Sequence, residues 1–343
     1  MGAFLRLTRP LNLLIIAFTM VAIRYGVIGG YLEVSSVDLR HMAPSPDVTL
    51  FAQVPDNTFV HAFNELLFWL LVCSTVLIAA GGNVINDYFD TRIDRVNKPD
   101  EVIVGRSVKR RVAMMGHLVL TALGILIGAV VAWRSGQLHL AVIPVFAAGA
   151  LWYYSTKLKR TFLLGNGLVA LLVALVPLSV GLYEIPALTS AYGNSASANI
   201  GGGQELEVVF HFNELWPWIL GFTAFAFLTT LVRELQKDMA DIKGDKADGC
   251  RTVPIVMGVN WAKALTLFYL AVAIIALLLL RAVVLTDKFS YWYIGAGVVL
   301  PMLLSAGFTY GANDRNGFNT AGHILKFAMA IAVAFAFFIL KVL

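Results

Sequence analysis

Two groups of carboxylates, each following a long hydrophobic stretch, have residue types and a spacing that chemistry could use. In the segment GGNVINDYFDTRIDRVNKPD, Asn86, Asp90 and Asp94 recur at intervals of four residues, and the pair Asp241 and Asp245 repeats that interval later in the chain. Residues four apart lie on one face of an α-helix, so each group points in one direction. Like charges at this spacing destabilise an exposed helix by about 0.2–0.5 kcal/mol per pair, and by more where water is scarce. A bound cation would remove this repulsion.

The oxygen-only character of the two groups favours Mg²⁺ as that cation. Mg²⁺ prefers oxygen ligands, keeps several waters and is commonly bound by one or two carboxylates together with substrate phosphates. No set of cysteines and histidines has the spacing of a zinc site. We therefore predict that the groups face each other across a helical bundle, hold Mg²⁺ and a diphosphate between them, and leave the hydrophobic helices to receive an apolar tail. The predicted metal ligands are Asn86, Asp90, Asp94, Asp241 and Asp245.

A diphosphate also requires cations from the protein, and the segment WYYSTKLKR offers them between the two acidic groups. Tyr153 and Lys157 are one helical turn apart there, at the inward end of a predicted span. A lone lysine at such a place is commonly an anchor at the membrane interface. Beside two acidic groups, Lys157 becomes a candidate phosphate ligand, and the hydroxyl of Tyr153 a candidate donor to the leaving oxygen.

Composition indicates that a membrane-embedded helical bundle must position these residues. Of 343 residues, 59% are hydrophobic and 14% are charged, with a mean hydropathy of +0.77. A membrane-spanning helix requires roughly 20 mostly apolar residues. Nine stretches qualify, near 11–31, 63–86, 112–133, 137–156, 162–183, 215–235, 261–285, 290–310 and 321–342. We predict an all-α polytopic membrane protein, with residues 1–343 forming a single domain around a central cavity.

The distribution of basic residues predicts the orientation of this bundle. Most lysines and arginines lie in segments on the side of the N-terminus, so the N-terminus and both acidic groups are predicted to be cytoplasmic, in the cell membrane. The net charge of +5 is then a topological signal, and no nucleic acid partner is expected. Two long outward loops are predicted near 32–62 and 184–214. The second has no Lys or Arg, is rich in Gly, Ser and Asn, and is predicted to be flexible or lightly ordered.

Arg24 is a charge within the first predicted span. Ionisable residues inside a membrane either extend to the interface or face a polar cavity. The second alternative makes Arg24 a candidate contact to substrate.

These motifs resemble those of the UbiA superfamily of intramembrane prenyltransferases. Its N-x-x-x-D-x-x-x-D motif is matched by the residues from Asn86 to Asp94, its Y-x-x-x-K motif by Tyr153 and Lys157, and its D-x-x-x-D motif by Asp241 and Asp245. The segment TRPLN is similar to the start of the family's first helix, and the dipeptide at 165–166 is similar to its helix-five signature. The resemblance spans nearly the whole chain, and the family also has nine helices.

The resemblance implies Mg²⁺-dependent transfer of a prenyl group from a prenyl diphosphate to a hydrophobic acceptor in the bilayer. The residues it implies for catalysis are Tyr153, Lys157 and the four aspartates at 90, 94, 241 and 245. The predicted contacts to substrate are Asn12, Arg24, Asn86, Asp87, Lys98, Arg106, Asn166 and Asp238.

The second acidic segment is most similar to the ether-lipid branch of the superfamily, whose acceptor is the free hydroxyl of geranylgeranylglyceryl phosphate. An aromatic acceptor, as in quinone-forming members, remains an alternative. A more distant alternative is an ion-coupled transporter, although transporter sites usually lie near the membrane midplane on broken helices. A CDP-alcohol phosphotransferase is disfavoured because its long glycine-containing motif is absent.

Overall fold

The computed structural model describes residues 2–43, 49–193, 195–201 and 204–339 of the chain. Within these residues, nine helices are long and apolar enough to cross a membrane. We label them α1 to α9 in chain order: Pro10–Met42, Glu65–Asn97, Arg110–Arg134, Leu138–Thr156, Leu164–Tyr192, Phe212–Ala247, Val259–Val283, Lys288–Gly311 and Arg315–Phe337. Their number confirms the prediction of an all-α membrane protein. The end of the predicted span 321–342 lies outside the described residues.

The two helices that carry the acidic groups run about three turns beyond their predicted ends. Hydropathy predicts an end near residue 86 for α2, which continues to Asn97, where Lys98 leaves the helical conformation before Pro99. For α6 it predicts an end near residue 235, whereas the helix continues to Ala247 and Gly249 follows at φ 74°. Hydropathy marks the lipid-embedded part of a helix, while turn-forming residues determine where the helix stops. The carboxylates therefore lie on helices rather than in loops.

The outward segments are more ordered than predicted. Helix α1 continues to Met42, and α5 continues to Tyr192. After α5, strands β1 (Ser195–Gly201) and β2 (Gln204–Val209) form an antiparallel hairpin. The prediction of a loop at 32–62 is therefore wrong for 32–42 and agrees with most of 49–62, whereas the prediction of a flexible loop at 184–214 is wrong for most of its residues. Residues 44–48, 194 and 202–203 lie outside the described part.

Aromatic packing accounts for this order. Phe59 lies between Tyr192, at a ring-centroid distance of 5.0 Å, and Phe210, at 5.2 Å. Phe212 contacts the ring of Phe59 at a centroid distance of 5.7 Å. Such buried aromatic pairs stabilise a structure by about 0.5–1.5 kcal/mol each beyond their burial. They join the residues before α2 to the hairpin and to the start of α6.

Packing brings the C-terminal ends of α2 and α6 together. Helix α2 packs against α3, α4 and α6, while α6 also packs against α5, α7 and α9. Helix α1 contacts α2, α5, α6 and α9, and so closes the bundle. At Gly26 the backbone of α1 approaches that of α9 so closely that a Cβ atom would lie 2.7 Å from the carbonyl carbon of Ala336.

Arg24 is part of an ion cluster at the end of the bundle opposite the acidic groups, so the structure does not bring this predicted substrate contact to the acidic residues. Its side chain is 1% exposed, and Nη2 donates to the carbonyl oxygen of Phe63 at 2.6 Å. Its Nη1 lies 3.3 Å from Oε2 of the fully buried Glu184, and its Nη2 lies 3.3 Å from Oε2 of Glu65. Glu65 begins α2 and Asp94 lies near the end of that helix, which places the cluster and the acidic groups at opposite ends. The buried charge is compensated by groups from two distant segments of the chain. The sequence around Arg24 does not reveal these partners.

We expect Arg24→Met to lower the free energy of unfolding by about 3–5 kcal/mol, because it leaves the Glu184 carboxylate buried without a countercharge. Thermal or denaturant unfolding in detergent measures this loss. The double variant Arg24→Met/Glu184→Gln is expected to recover part of it. The control is Glu65→Gln, whose side chain is 58% exposed and whose effect should be about 1 kcal/mol or less. Equal losses for both single variants would contradict this role of the buried pair.

Candidate active site

A polar cavity of about 720 Å³ lies between the C-terminal ends of α2 and α6. Its carboxylates are Asp87, Asp90, Asp94, Asp100, Glu101, Glu234, Asp238, Asp241 and Asp245, and its basic residues are Arg6, Arg9, Lys98, Arg106, Lys159 and Lys237. The two predicted acidic groups therefore line the same cavity. Asn86, Asp87, Lys98, Arg106 and Asp238 also line it, as the substrate contacts were predicted to do.

A direct tie between the two acidic helices fixes their relative position. Asn97, the last residue of α2, donates from Nδ2 to the carbonyl oxygen of Asp241 at 3.1 Å and accepts from the backbone nitrogen of Gly244 at 2.9 Å. A Cβ atom at Gly244 would lie 2.4 Å from Nδ2 of Asn97, so glycine is required for this approach. The guanidinium of Arg315 also donates to the carbonyl oxygen of Asn97. The acidic groups are thus held on facing helices by hydrogen bonds between the Asn97 side chain and the backbone of α6.

Lys159 supplies the cation nearest to the first acidic group. Its ammonium donates to Oδ2 of Asp90, which also accepts from Nδ2 of Asn86 at 2.8 Å. Burial alone would lower the pKa of the Lys159 ammonium, but the carboxylates of Asp90, Asp245 and Asp94 raise this pKa above its ordinary value. Lys159 is therefore charged throughout the neutral range and is placed beside both acidic groups.

The structure does not bring Tyr153 and Lys157 to this cavity, which corrects their predicted place. Tyr153 is 48% exposed, and the ammonium of Lys157 lies 5.9 Å from the centre of its ring. Helix α4 ends at Thr156, and the following 3₁₀ turn, Leu158–Arg160, changes the direction of the chain.

A one-turn spacing assumes that the helix continues, and here it stops before Lys157. The side chains that line the cavity are Tyr154 and Lys159. The motif therefore lies in the segment that reaches the cavity, although a different tyrosine and a different lysine of that segment line it.

Two other predicted substrate contacts, Asn166 and Asn12, lie outside the polar cavity and hydrogen-bond to other polar side chains. Asn166 donates from Nδ2 to Oδ2 of Asp238 at 2.8 Å and so orients that carboxylate. Asn12 accepts from the ammonium of Lys326 at 2.6 Å, and lines a second cavity described below. Neither lines the polar cavity itself.

Sequence reasoning missed the ion pairs on the first and sixth helices. Arg9, which precedes Pro10 with φ 55°, is 2.6 Å from Oδ1 of Asp87. Lys237 lies 2.8 Å from Oε2 of Glu234, whose side chain is 6% exposed. The basic residues were interpreted as topology signals, although their place beside acidic motifs on the same membrane face was the available indication of a site.

The donor set fits Mg²⁺ bound together with a phosphate group. Oδ1 of Asn86 and Oδ1 of Asp241 are buried and make no hydrogen bond within the described residues. In the same part of the chain, no three Asp, Glu, His or Cys side chains are close enough to hold a metal ion by themselves. Mg²⁺ commonly takes one or two protein carboxylates and completes its shell with water and substrate phosphates. Neither oxygen has a hydrogen bond in the described part of the chain, and the nearest cation to Oδ1 of Asp241 there is Nε of Arg315 at 3.7 Å, so both are suited to that arrangement and not to a closed metal site.

A second, mostly apolar cavity of about 250 Å³ continues from the first toward the middle of the bundle. Five residues line both cavities: Arg9, Asn86, Tyr154, Glu234 and Lys237. The walls beyond them are formed by apolar side chains, among them Ile15, Ile16, Ile78, Leu151, Leu172, Val173, Val176 and Met329. A molecule with a polar head and an isoprenoid chain matches this succession of surfaces.

The model of the UbiA prenyltransferase family matches residues 57–332, which includes both acidic helices and the turn that carries Lys159. The chain belongs to this family. It is therefore an integral membrane prenyltransferase, and the transporter alternative is set aside.

Relatives within the UbiA family are named digeranylgeranylglyceryl phosphate synthase. The one from Methanoregula boonei is 31% identical over 264 residues, which cover 76% of this chain and 81% of the relative. The one from Thermococcus sibiricus is 28% identical over 280 residues, covering 80% and 76%.

Solved structures show that the fold is that of the UbiA family. A structure of digeranylgeranylglyceryl phosphate synthase matches with a TM-score of 0.60 at 20% identity, covering 100% of this chain and 99% of the other. A UbiA homologue from Aeropyrum pernix matches with a TM-score of 0.59 at 14% identity, covering 94% and 96%. A UbiA homologue from Archaeoglobus fulgidus bound to GPP and Mg²⁺ matches with a TM-score of 0.51 at 16% identity, covering 96% and 99%.

Proposed function

We propose that this protein transfers a geranylgeranyl group from geranylgeranyl diphosphate to the free hydroxyl of geranylgeranylglyceryl phosphate, in ether-lipid synthesis. The observation that carries the proposal is the single polar cavity in which the two acidic helix ends face each other and from which an apolar cavity continues. The names of the relatives support the choice of acceptor.

The diphosphate of the donor is placed between the two acidic helices. Mg²⁺, held by Asn86, Asp90, Asp94, Asp241 and Asp245, would neutralise the negative charge that develops on the leaving diphosphate. The Archaeoglobus homologue, which was solved with GPP and Mg²⁺, supports this assignment. Lys159 adds a fixed positive charge beside Asp90, and Lys98 and Arg106 provide further cations at the cavity entrance.

In the transfer itself, the bond between the first carbon of the prenyl chain and the diphosphate oxygen breaks. The acceptor's hydroxyl oxygen forms the new bond to that carbon, the hydroxyl proton is released, and diphosphate leaves. Allylic positive charge develops during this step and must be kept from water. The apolar wall that begins next to Tyr154 provides the required exclusion.

The site is proposed to open to the cytoplasm of the cell. The segments that surround it carry most of the basic residues of the chain, which favours a cytoplasmic location. A water-soluble diphosphate product would then be released on the side where it can be hydrolysed.

The test supplies purified protein with labelled geranylgeranyl diphosphate and Mg²⁺, together with either geranylgeranylglyceryl phosphate or an aromatic acid. We expect label to appear on the glyceryl lipid with release of one diphosphate per transfer. Label on the aromatic ring alone would preserve the prenyl transfer and replace the acceptor. Absence of transfer and of diphosphate release with both acceptors, from folded protein, would overturn the proposal.

A further inference from the structure

The apolar cavity contains a cluster of three cations, two of which, Arg233 and Lys326, do not line the polar cavity. Arg233 and Lys237 of α6 and Lys326 of α9 all line it. Within the described residues, Glu234 is the one carboxylate in its lining. Ionisable residues inside membrane helices are rare because burying them is unfavourable, and they commonly mark the path or the site of a charged ligand.

Lys326 is the least compensated member of this cluster. It lies eleven residues into α9, about 16 Å from the start of that helix. Its ammonium donates to Oδ1 of Asn12 at 2.6 Å, and no ion pair of Lys326 occurs in the part of the chain that the structure describes. The nearby guanidiniums of Arg233 and Arg9 repel it. A neutral amide therefore orients this ammonium but does not balance its charge.

The charges of the cluster leave a positive surplus. Glu234 accepts from Lys237 at 2.8 and 3.0 Å and lies 3.5 Å from Nη2 of Arg233. One carboxylate thus faces three cations, so the cluster has a net surplus of two positive charges. Arg9 lines the same cavity but is already paired with Asp87. A phosphate monoester carries a charge of about −1.5 to −2 at neutral pH and has three acceptor oxygens, so it matches this surplus.

The position of the cluster separates it from the donor diphosphate. Three cations line only the polar cavity: Lys98, Arg106 and Lys159. Arg233 and Lys326 line only the apolar cavity. These two residues therefore serve the apolar cavity alone, whereas Lys237 lies at the junction of the two cavities together with Arg9, Asn86, Tyr154 and Glu234. A ligand bound at Arg233 and Lys326 would lie beside the first carbon of a prenyl chain whose diphosphate occupies the polar cavity.

We propose that Lys326, with Arg233 and Lys237, binds the phosphate of the acceptor lipid and makes the enzyme select a phosphorylated acceptor over its neutral counterpart. The proposal rests on the proposed function, since it identifies where that acceptor's headgroup is held. The isoprenoid chain of the acceptor lies along the apolar wall next to the cluster, and its hydroxyl is directed toward the junction of the two cavities.

The test compares wild type with Lys326→Met, using geranylgeranylglyceryl phosphate and its dephosphorylated form, geranylgeranylglycerol, as acceptors. We expect KM for the phosphorylated acceptor to rise about 10- to 100-fold, because a charge-assisted hydrogen bond is lost in a site of low polarity. KM for the donor should change by less than about twofold, and the preference for the phosphorylated acceptor should fall in proportion. Equilibrium binding of labelled acceptor, without donor and with Mg²⁺ chelated, should weaken similarly.

The matched control is Lys263→Met, which removes an ammonium from α7 whose partners are the carbonyl oxygen of Tyr310 and the ring of Phe318. This control should leave both KM values unchanged. Lys326→Arg keeps the charge and should restore most of the acceptor binding. If Lys326→Met does not fold, Arg233→Gln is expected to show the same loss of selectivity.

The outcomes distinguish this inference from the function on which it rests. Wild-type protein that fails to use geranylgeranylglyceryl phosphate overturns the proposed function itself. Wild-type transfer combined with an unchanged acceptor KM in folded Lys326→Met overturns only the assignment of the phosphate. A rise in the donor KM equal to or above that of the acceptor would assign the cluster to the donor diphosphate and also overturn it.

Discussion

Replacing Lys159 with methionine is expected to lower kcat/KM for prenyl transfer by about 100-fold or more, whereas Lys157→Met should stay within about twofold of wild type. The Lys159 ammonium donates to Asp90 within the cavity, while the Lys157 ammonium lies outside it over the ring of Tyr153. The first substitution removes a fixed positive charge beside the developing diphosphate, and the second removes a charge that faces solvent. Steady-state kinetics with labelled donor measure both values.

The comparison of the two lysines is robust because both variants remove the same group from the same turn. Lys159→Arg should retain more activity than Lys159→Met, since it keeps the countercharge of the buried Asp90. A melting temperature close to that of wild type would show that Lys159→Met is folded. Greater loss of activity for Lys157→Met than for Lys159→Met would show that the motif spacing, and not the geometry, identifies the catalytic lysine.

The positions of the aspartates could be predicted from the sequence because they depend on local structure. Asp90 and Asp94 share a helical face whatever the rest of the fold does, and the same holds for Asp241 and Asp245. The prediction succeeded because α2 and α6 continue as helices past the hydrophobic stretch.

The same argument failed at Lys157, because a spacing of four residues indicates a shared face only where the helix continues. Helix α4 ends at Thr156, and no proline or glycine in the segment up to Arg160 signals that end. The tight turn that follows carries Lys159 into the cavity. The four-residue rule was applied across the end of α4, and tertiary packing rather than local sequence determines where that helix ends.

Contacts between distant segments were beyond the reach of the sequence. Arg24 is compensated by Glu184, and Lys326 contacts Asn12 from the opposite end of the chain. Neither partner can be identified from spacing, because the pairing depends on which helices are neighbours. The intramembrane charges were therefore visible as exceptional residues while their roles were not. At Arg24 the role is structural, and at Lys326 the uncompensated charge indicates a ligand.

The two cavities differ in the balance of their charged residues. Carboxylates dominate the polar cavity, where a bound Mg²⁺ would offset their repulsion of a diphosphate. Lysine and arginine exceed carboxylates in the apolar cavity, where a phosphate can bind directly. Donor and acceptor phosphates would thus be recognised by opposite charge patterns. This difference would disfavour binding of the donor diphosphate in the apolar cavity and of the acceptor phosphate in the polar cavity.

Metal dependence provides the second large effect that we expect. Asp90→Asn and Asp241→Asn should each lower turnover by about 10³-fold, because each removes a carboxylate that would hold Mg²⁺ against the diphosphate. Wild-type turnover should likewise be lost on chelation of Mg²⁺ and return when Mg²⁺ is added back. Both asparagines keep the size of the side chain, so unfolding temperatures should stay close to wild type.

The matched control is Asp248→Asn, at the end of the same α6 helix, whose carboxylate pairs with Arg160 at 2.7 Å and does not line the polar cavity. This variant removes an equal charge from the same membrane face and should retain activity within a few-fold of wild type. Its Mg²⁺ concentration for half-maximal rate should be unchanged, whereas that of any residual activity in Asp241→Asn should rise. Near-normal turnover in both Asp90→Asn and Asp241→Asn would show that the facing carboxylates do not hold the metal. Loss of turnover in Asp248→Asn equal to theirs would show that the charge of this membrane face, and not ligation within the cavity, is what the reaction requires.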